Sequence, residues 1–230
     1  MLFDPPLISG TLVRRYQRFM ADITLDDGTI VTAHCPNSGS MKGVNVPGSD
    51  VLISHHPSPK RRLQYTWEMI RLDGGWVGIN TMIPNRIVGE AIEEQLIPAF
   101  RRYRQYRAEV VIAEGTRIDF VLGERSPCWV EVKNVTMVED KIARFPDSVT
   151  TRGAKHLYYL TQHVRHGGKA VAFFVVQHHA GEEFAPADDI DPGYGQALRT
   201  AQAAGVKIEV WKAAVSPQEI RLSHKLPVRL

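Results

Sequence analysis

Between Arg117 and Val135 the chain reads RIDFVLGERSPCWVEVKNV, and no other stretch narrows the possible folds as much. Ile118, Phe120 and Leu122 alternate with Arg117, Asp119 and Val121, and Val130 and Val132 alternate with Trp129, Glu131 and Lys133. This is the pattern of two strands joined by a polar turn, Gly123–Pro127, with chain breakers at both ends. Side chains two apart share a face of a strand, so Glu131 and Lys133 point the same way. A hairpin symmetric about Arg125 sets Asp119 opposite Glu131, with Cβ atoms roughly 5 Å apart. Two carboxylates and an ammonium then converge on one face of an otherwise apolar hairpin.

Neighbouring carboxylates repel, which raises one pKa or calls for a cation between them. Their oxygens suit a hard ion such as Mg²⁺, which takes one or two carboxylates and fills its shell with water and phosphate. The lysine could orient a metal-bound water or offset negative charge growing on a phosphorane. The same spacing also fits a surface hairpin whose cross-strand Glu–Lys pair contributes little. The apolar residues of the opposite arms favour a central place in a sheet.

The rest of the chain supplies the setting. At 230 residues it can hold one domain or two and bury a core without staples. It shows no charged-then-apolar leader and no apolar run of about 18 residues, the expectation for a soluble, cytoplasmic protein. Cys35 and Cys128 are too few and too far apart for a disulfide framework or zinc knuckle. The net charge of +3 permits nucleic-acid binding without arguing for it.

From Leu7 to Ile79 short alternating runs and turns predict strands near 7–13, 19–25, 29–34, 50–55, 66–72 and 76–79, with Asp26-Asp27-Gly28 as a hairpin turn. That is the spacing of a small barrel. Two basic clusters fall in its loops or strand ends: Arg14, Arg15 and Arg18 around Tyr16, and Lys60, Arg61 and Arg62 ahead of Tyr65 and Trp67. Cations interleaved with aromatics suit phosphate contact and base stacking, although Trp67 reads better as core. The loop from Pro36 to Gly48, rich in Asn, Ser and Gly and carrying Lys42, can offer N–H groups to an anion or serve only as a connection.

The period changes at Pro84, where Ile87, Val88, Ala91, Ile92, Leu96 and Ile97 predict a helix to Phe100, with Asn85 a candidate cap. A domain boundary is expected near Met82. Arg101, Arg102, Arg104 and Arg107 form the densest basic run, as cations at a helix end or as phosphate contacts. A helix is expected over Ser148–His166, carrying Arg152, Lys155 and His156. Lys169–Gln177 reads as a covered strand, Glu183–Asp191 as an acidic loop, Tyr194–Ala204 as a helix and Val206–Trp211 as a last strand. His178 and His179, adjacent on a strand, would point to opposite faces and make a poor metal pair.

Asp119 followed by Glu131-Val132-Lys133 resembles the core of the PD-(D/E)XK nuclease superfamily, with Ile118 where many members have proline. Longer strings resemble the sugar fermentation stimulation protein A family along nearly the whole chain: His34–Met41, Arg62–Glu68, Arg117–Phe120, Glu131–Thr136 and Phe145–Gly153. The resemblance implies an α/β (α+β) chain, with an N-terminal OB-like β-barrel over residues 1–82 and a PD-(D/E)XK nuclease-like mixed sheet flanked by helices over 83–230. It implies DNA binding and a role in regulating maltose metabolism. It also implies catalytic roles for Asp119, Glu131 and Lys133, and an Mg²⁺ or Mn²⁺ ion on Asp119, Glu131 and a first-helix carboxylate, for which Glu90 is the candidate. The DNA contacts expected are Arg14, Arg15, Arg18, Lys42, Lys60, Arg61, Arg62, Arg152 and Lys155. Three functions stay open: a DNA-binding protein without strong sequence choice, an active metal-dependent nuclease, and a partner-binding protein whose acid cluster is a relic.

Overall fold

The computed structural model describes all 230 residues. Strands β1 (Ile8–Tyr16), β2 (Met20–Leu25), β3 (Ile30–His34), β4 (Asp50–His55), β5 (Tyr65–Leu72) and β6 (Gly75–Gly78) lie in the order β3-β2-β1-β4-β5-β6. A parallel pairing of Ala33 with Tyr65 joins β3 to β5 and closes the first five into a barrel. Alternation explains the closure: Ala21 and Ile23, Val51 and Ile53, and Trp67 point inward as a sealed core. Trp67 is core, its Nε1 donating to the Met69 carbonyl at 2.8 Å. The β2–β3 turn is of the expected Asp-Gly type, with Gly28 at φ +84° and Asp27 accepting from the Thr29 N–H.

The chain then forms helix α1 (Ile83–Glu93), a 3-10 turn at Pro98–Phe100, and the strands β7 (Tyr106–Ala113), β8 (Thr116–Leu122) and β9 (Cys128–Val135). Two short strands follow, β10 (Met137–Glu139) and β11 (Ile142–Phe145), then α2 (Thr151–Arg165), β12 (Lys169–Val176), β13 (Glu183–Pro186), α3 (Pro192–Ala203), β14 (Lys207–Val215) and β15 (Ile220–Lys225). The main sheet runs β15-β14-β12-β9-β8-β7, parallel through β14-β12-β9 and antiparallel at both ends. β10, β11 and β13 form a second small sheet, so the expected acidic loop at 183–191 begins as a strand. The first helix ends at Glu93, short of Phe100, and the basic run beyond it leads through the 3-10 turn into β7.

β12 shows why the main sheet is central. Val171, Phe173 and Val175 pack against α1, together with Leu52 and Met69 from the barrel wall. Ala170, Ala172, Phe174 and Val176 pack against α2 and α3. Burying one such phenylalanine contributes about 1.5–3 kcal/mol. The α1 face repeats at helical spacing, Ile83, Ile87 and Ala91 beside Val88 and Ile92.

Two seams join the barrel to the rest. At one, Val77 bridges to His178, and the Gly78 N–H donates to the Gln177 carbonyl at 3.0 Å. The His178 and His179 rings stack with centroids 4.9 Å apart, so they do not diverge as expected. At the other, the first residues leave the barrel: Met1 and Ile220 exchange hydrogen bonds, and the Phe3 N–H donates to the Gln218 carbonyl. No helix is long and apolar enough to cross a membrane.

Candidate functional site

The hairpin pairs Phe120 with Val130, Val121 with Trp129 and Leu122 with Cys128, the register expected from symmetry about Arg125. The paired ladder stops there. At the next position Asp119 Oδ2 accepts the Val132 N–H at 2.6 Å, a side chain taking over from the backbone. Side-chain alternation also breaks: Phe120 packs toward α1, while Ile118 and Val121 both pack toward α2 and α3.

Glu131 is 3% exposed. Its Oε1 takes both the Lys133 Nζ and the His156 Nδ1. Because Nδ1 donates to the carboxylate, it cannot also accept from Lys133, although Nζ lies 3.5 Å away. Burial pushes the Glu131 carboxyl up, but the Lys133 charge and the His156 bond outweigh it, and the net shift is downward. Its other oxygen, Oε2, is buried with no hydrogen-bond partner. Asp119 is shifted the opposite way, up to about 6, by burial and then by the Glu131 charge.

His156, expected with Arg152 and Lys155 on a helix beside the carboxylates, and Asn85, expected as a helix cap, bond directly to the two carboxylates. His156 is 4% exposed on α2 and faces β9. Asn85 does not cap α1, whose N-cap is Met82; its Nδ2 donates to Asp119 Oδ1 at 2.8 Å. Glu90 is not part of the cluster. Five residues on, it is turned about 140° from Asn85 around the helix, and its carboxylate pairs with the Met1 amine at 2.6 Å and with Arg86 at 3.4 Å.

The carboxylates nevertheless fit a divalent ion in one respect. Oε2 of Glu131 is a buried acceptor that can be filled without displacing Lys133 or His156, and Asp119 is the adjacent carboxylate. No group of three or more His, Cys, Asp or Glu side chains is gathered for a metal, so such an ion would take two carboxylates and complete its shell with water.

Lys133 also lines a cleft of about 710 Å³ between the barrel and the second sheet. Asn37, Gly39 and Thr81 border it on the barrel side, Arg18 and Arg152 contribute cations, and Asp147 lies at its rim. Asp147 fastens the rim, accepting the Met41 N–H at 2.9 Å while its carbonyl accepts from Ser40 Oγ.

The expected DNA contacts divide. Arg18, Lys60, Arg62, Arg152 and Lys155 are exposed, Lys155 lying over the Tyr159 ring. Arg15 is not free: its guanidinium donates to the carbonyls of Arg18, Asn37 and Gly39 and builds the loop. Arg14 pairs with Asp22 at 2.8 Å, Lys42 with Glu139 at 2.8 Å, and Arg61 donates to Thr66.

With this geometry in view, comparison with known proteins is decisive about family. A model described as the SfsA N-terminal OB domain matches residues 13–79, and one described as the sugar fermentation stimulation protein RE domain matches residues 82–219. The chain belongs to the sugar fermentation stimulation protein family. A sugar fermentation stimulation protein homolog of Geobacter sulfurreducens is 55% identical over 228 residues, covering 99% of this chain and 98% of that protein. The Geobacter metallireducens homolog is 56% identical over 232 residues, covering both chains fully. Pyrococcus furiosus SfsA, solved in complex with Ca²⁺, shares the fold at a TM-score of 0.90 and 24% identity, over 100% of this chain and 98% of that one. The barrel is thus an OB barrel and the second region the family's mixed sheet with helices.

Proposed function

We propose that this sugar fermentation stimulation family member is a cytoplasmic DNA-binding protein that grips the phosphate backbone without strong sequence choice. The observation that carries the reading is the cleft itself, lined together by Arg18 of the barrel, Lys133 of β9 and Arg152 of α2. Backbone contact by such cations makes affinity fall steeply with salt. A regulatory role in sugar (maltose) metabolism would then be exerted from DNA, in keeping with the name its relatives carry.

A second reading, phosphodiester hydrolysis, is favoured by one feature, the unpartnered buried Oε2 of Glu131 beside Asp119. Asp119 and Glu131 would hold an Mg²⁺ or Mn²⁺ ion, which when bound supplies charge neutralisation at the phosphate. Pyrococcus furiosus SfsA has been solved with Ca²⁺, an ion of the same oxygen-seeking class. Lys133 would offset charge developing on the phosphoryl oxygens, and His156 would keep Glu131 ionised and aimed. Hydrolysis adds water at phosphorus and breaks one P–O ester bond.

One experiment separates these readings. Single-stranded, duplex and branched DNA are incubated with Mg²⁺ or Mn²⁺, and cutting and binding are followed together for the wild type, Glu131→Ala and Lys133→Ala. Cutting that both variants lose while binding survives makes the protein a nuclease. Salt-sensitive binding without cutting leaves a DNA-binding protein. Neither binding nor cutting removes the nucleic-acid reading.

A further inference from the structure

The basic run that follows α1, Arg101–Arg107, takes no part in the cleft, and the fold gives it company elsewhere. Tyr106, Leu122, Cys128 and Lys169 stand level across β7, β8, β9 and β12, each registered with the next. One strand further on, Lys207 opens β14, paired with Val171. Arg102 and Arg104 lead into β7. The Gly123 N–H donates to the Gln105 carbonyl at 2.9 Å, which brings that run against the β8–β9 turn and its Arg125. The helix α2 ends at this edge too, because only three residues separate Arg165 from Lys169. Burial pushes the Cys128 thiol up, and the charges of Arg102, Lys169 and Lys207 all act against it, so the three surround one point.

Arg102, Arg104, Arg125, Arg165, Lys169 and Lys207 therefore crowd the edge where the parallel strands begin. All are exposed and none enters an ion pair, whereas Arg14, Lys42 and Lys225 are held by Asp22, Glu139 and Glu209. The acid that these segments contain is Glu124, in the turn. Like charges gathered on a rigid edge repel one another and do nothing for the fold. Their spacing suits a regular polyanion. From β8 to β14, three strand spacings make about 14 Å, over which duplex DNA carries about eight phosphate charges. No large apolar side chain is exposed on these segments, so the apolar core that a protein interface needs is missing.

The cleft is lined from the far ends of the same elements, the last residues of β9 and the first of α2. The two surfaces thus lie at opposite ends of α2, about 22 Å apart. Duplex DNA is stiff over about 500 Å and does not wrap from one end of the helix to the other. We propose that this edge of the main sheet is a second duplex-binding surface, so that one molecule bridges two DNA segments, one in the cleft and one across the starts of β9, β12 and β14. The proposal rests on the DNA-binding reading above and goes beyond it in the second site and the bridging.

The test fixes a duplex of about 20 base pairs to beads, adds a fluorescent duplex with the full chain, and reads the label retained. Anisotropy of the fluorescent duplex alone gives the affinity for a single duplex. The variants are Arg102→Gln/Arg125→Gln/Lys169→Gln/Lys207→Gln and the milder Lys169→Gln/Lys207→Gln. Wild type should retain label; the fourfold variant should keep its single-duplex affinity and retain at least about tenfold less. No retention by wild type, or retention unchanged in both variants, overturns the proposal and leaves DNA binding intact; the second result would assign bridging to the clefts of two copies. Loss of single-duplex affinity together with retention also overturns it, because one duplex would then span both surfaces. Failure of wild type to bind any duplex removes the proposal and the reading beneath it. Should the fourfold variant prove unfolded by circular dichroism, the double variant decides the question alone.

Discussion

Burial and the neighbouring Glu131 push the Asp119 carboxyl up to about 6, from about 3.9 in an unfolded chain. Between those values the folded protein keeps a proton that the unfolded chain has lost, so stability falls as pH rises through that window. Above pH 6 the ionised group costs the fold on the order of 3 kcal/mol. Asp119→Asn removes the charge and still accepts the Val132 N–H, provided Asn85 turns its amide oxygen toward the new NH₂. It should therefore melt several degrees above wild type at pH 8, with the gap closing toward pH 5. The same shift predicts that Mn²⁺ binding, measured by calorimetry, weakens about tenfold between pH 7 and pH 5 as protons compete for Asp119. A flat profile would place the ion elsewhere. Glu131 gives a contrast: removing it strands Lys133 and His156, whereas removing Lys133 leaves Glu131 still bonded to His156. Urea melts should show Glu131→Ala losing about 3–5 kcal/mol and Lys133→Ala clearly less.

At the scale of elements, one aspartate sets the start of two helices. Asp191 is the N-cap of α3, with Oδ1 accepting the Tyr194 N–H at 2.9 Å. Its Oδ2 accepts the N–H of Thr150, which caps α2 through Gly153. Asp191→Ala removes both supports, and about 2 kcal/mol of stability should go with them. Hydrogen exchange should quicken at the starts of α2 and α3 together; a change confined to α3 would mean that the helices are capped independently. These elements also mark what could be read from sequence. The apolar alternation next to the turn and the breakers within it specified the register of the three β8–β9 pairs, because a slip of one residue would exchange the two faces of the strand; the break in alternation at Asp119 was not legible. Helix phase was harder. Nothing in the sequence of α1 says whether Asn85 or Glu90 meets the hairpin, since that depends on how the helix lies across the sheet. Arg15 looked like a phosphate ligand because its three carbonyl partners are brought to it only by the folded loop. β13 lacked an alternating pattern and takes its strand form from parallel pairing with β11.

For the whole molecule the seam at His178 is a second pH-sensitive part, opposite in sign to Asp119. Burial, then the neighbouring His179 charge, lowers the His178 pKa to about 4, and its Nδ1 accepts the Ala180 N–H at 3.1 Å. The unfolded chain takes up that proton below about 6.5, so this contribution is intact above pH 6.5 and drains away as pH falls toward 4. His178→Asn retains an acceptor near Nδ1 without a titrating group. Melting temperature should therefore fall less between pH 7 and pH 5 in the variant than in wild type; parallel curves would exonerate this histidine.

Met1–Phe3 pair with Gln218–Ile220 beside β15, while the barrel lies between them and the return of the chain at Ile79–Ile83. The barrel is thus held to the main sheet at both of its ends. The Met1–Ile220 pair joins residues 219 apart along the chain, so it closes a loop that contains nearly the whole fold, and the cost of that closure is met only by elements already packed on their own cores. It works as a clasp between two bodies, and opening it would free one end of the barrel while leaving the barrel's own core intact.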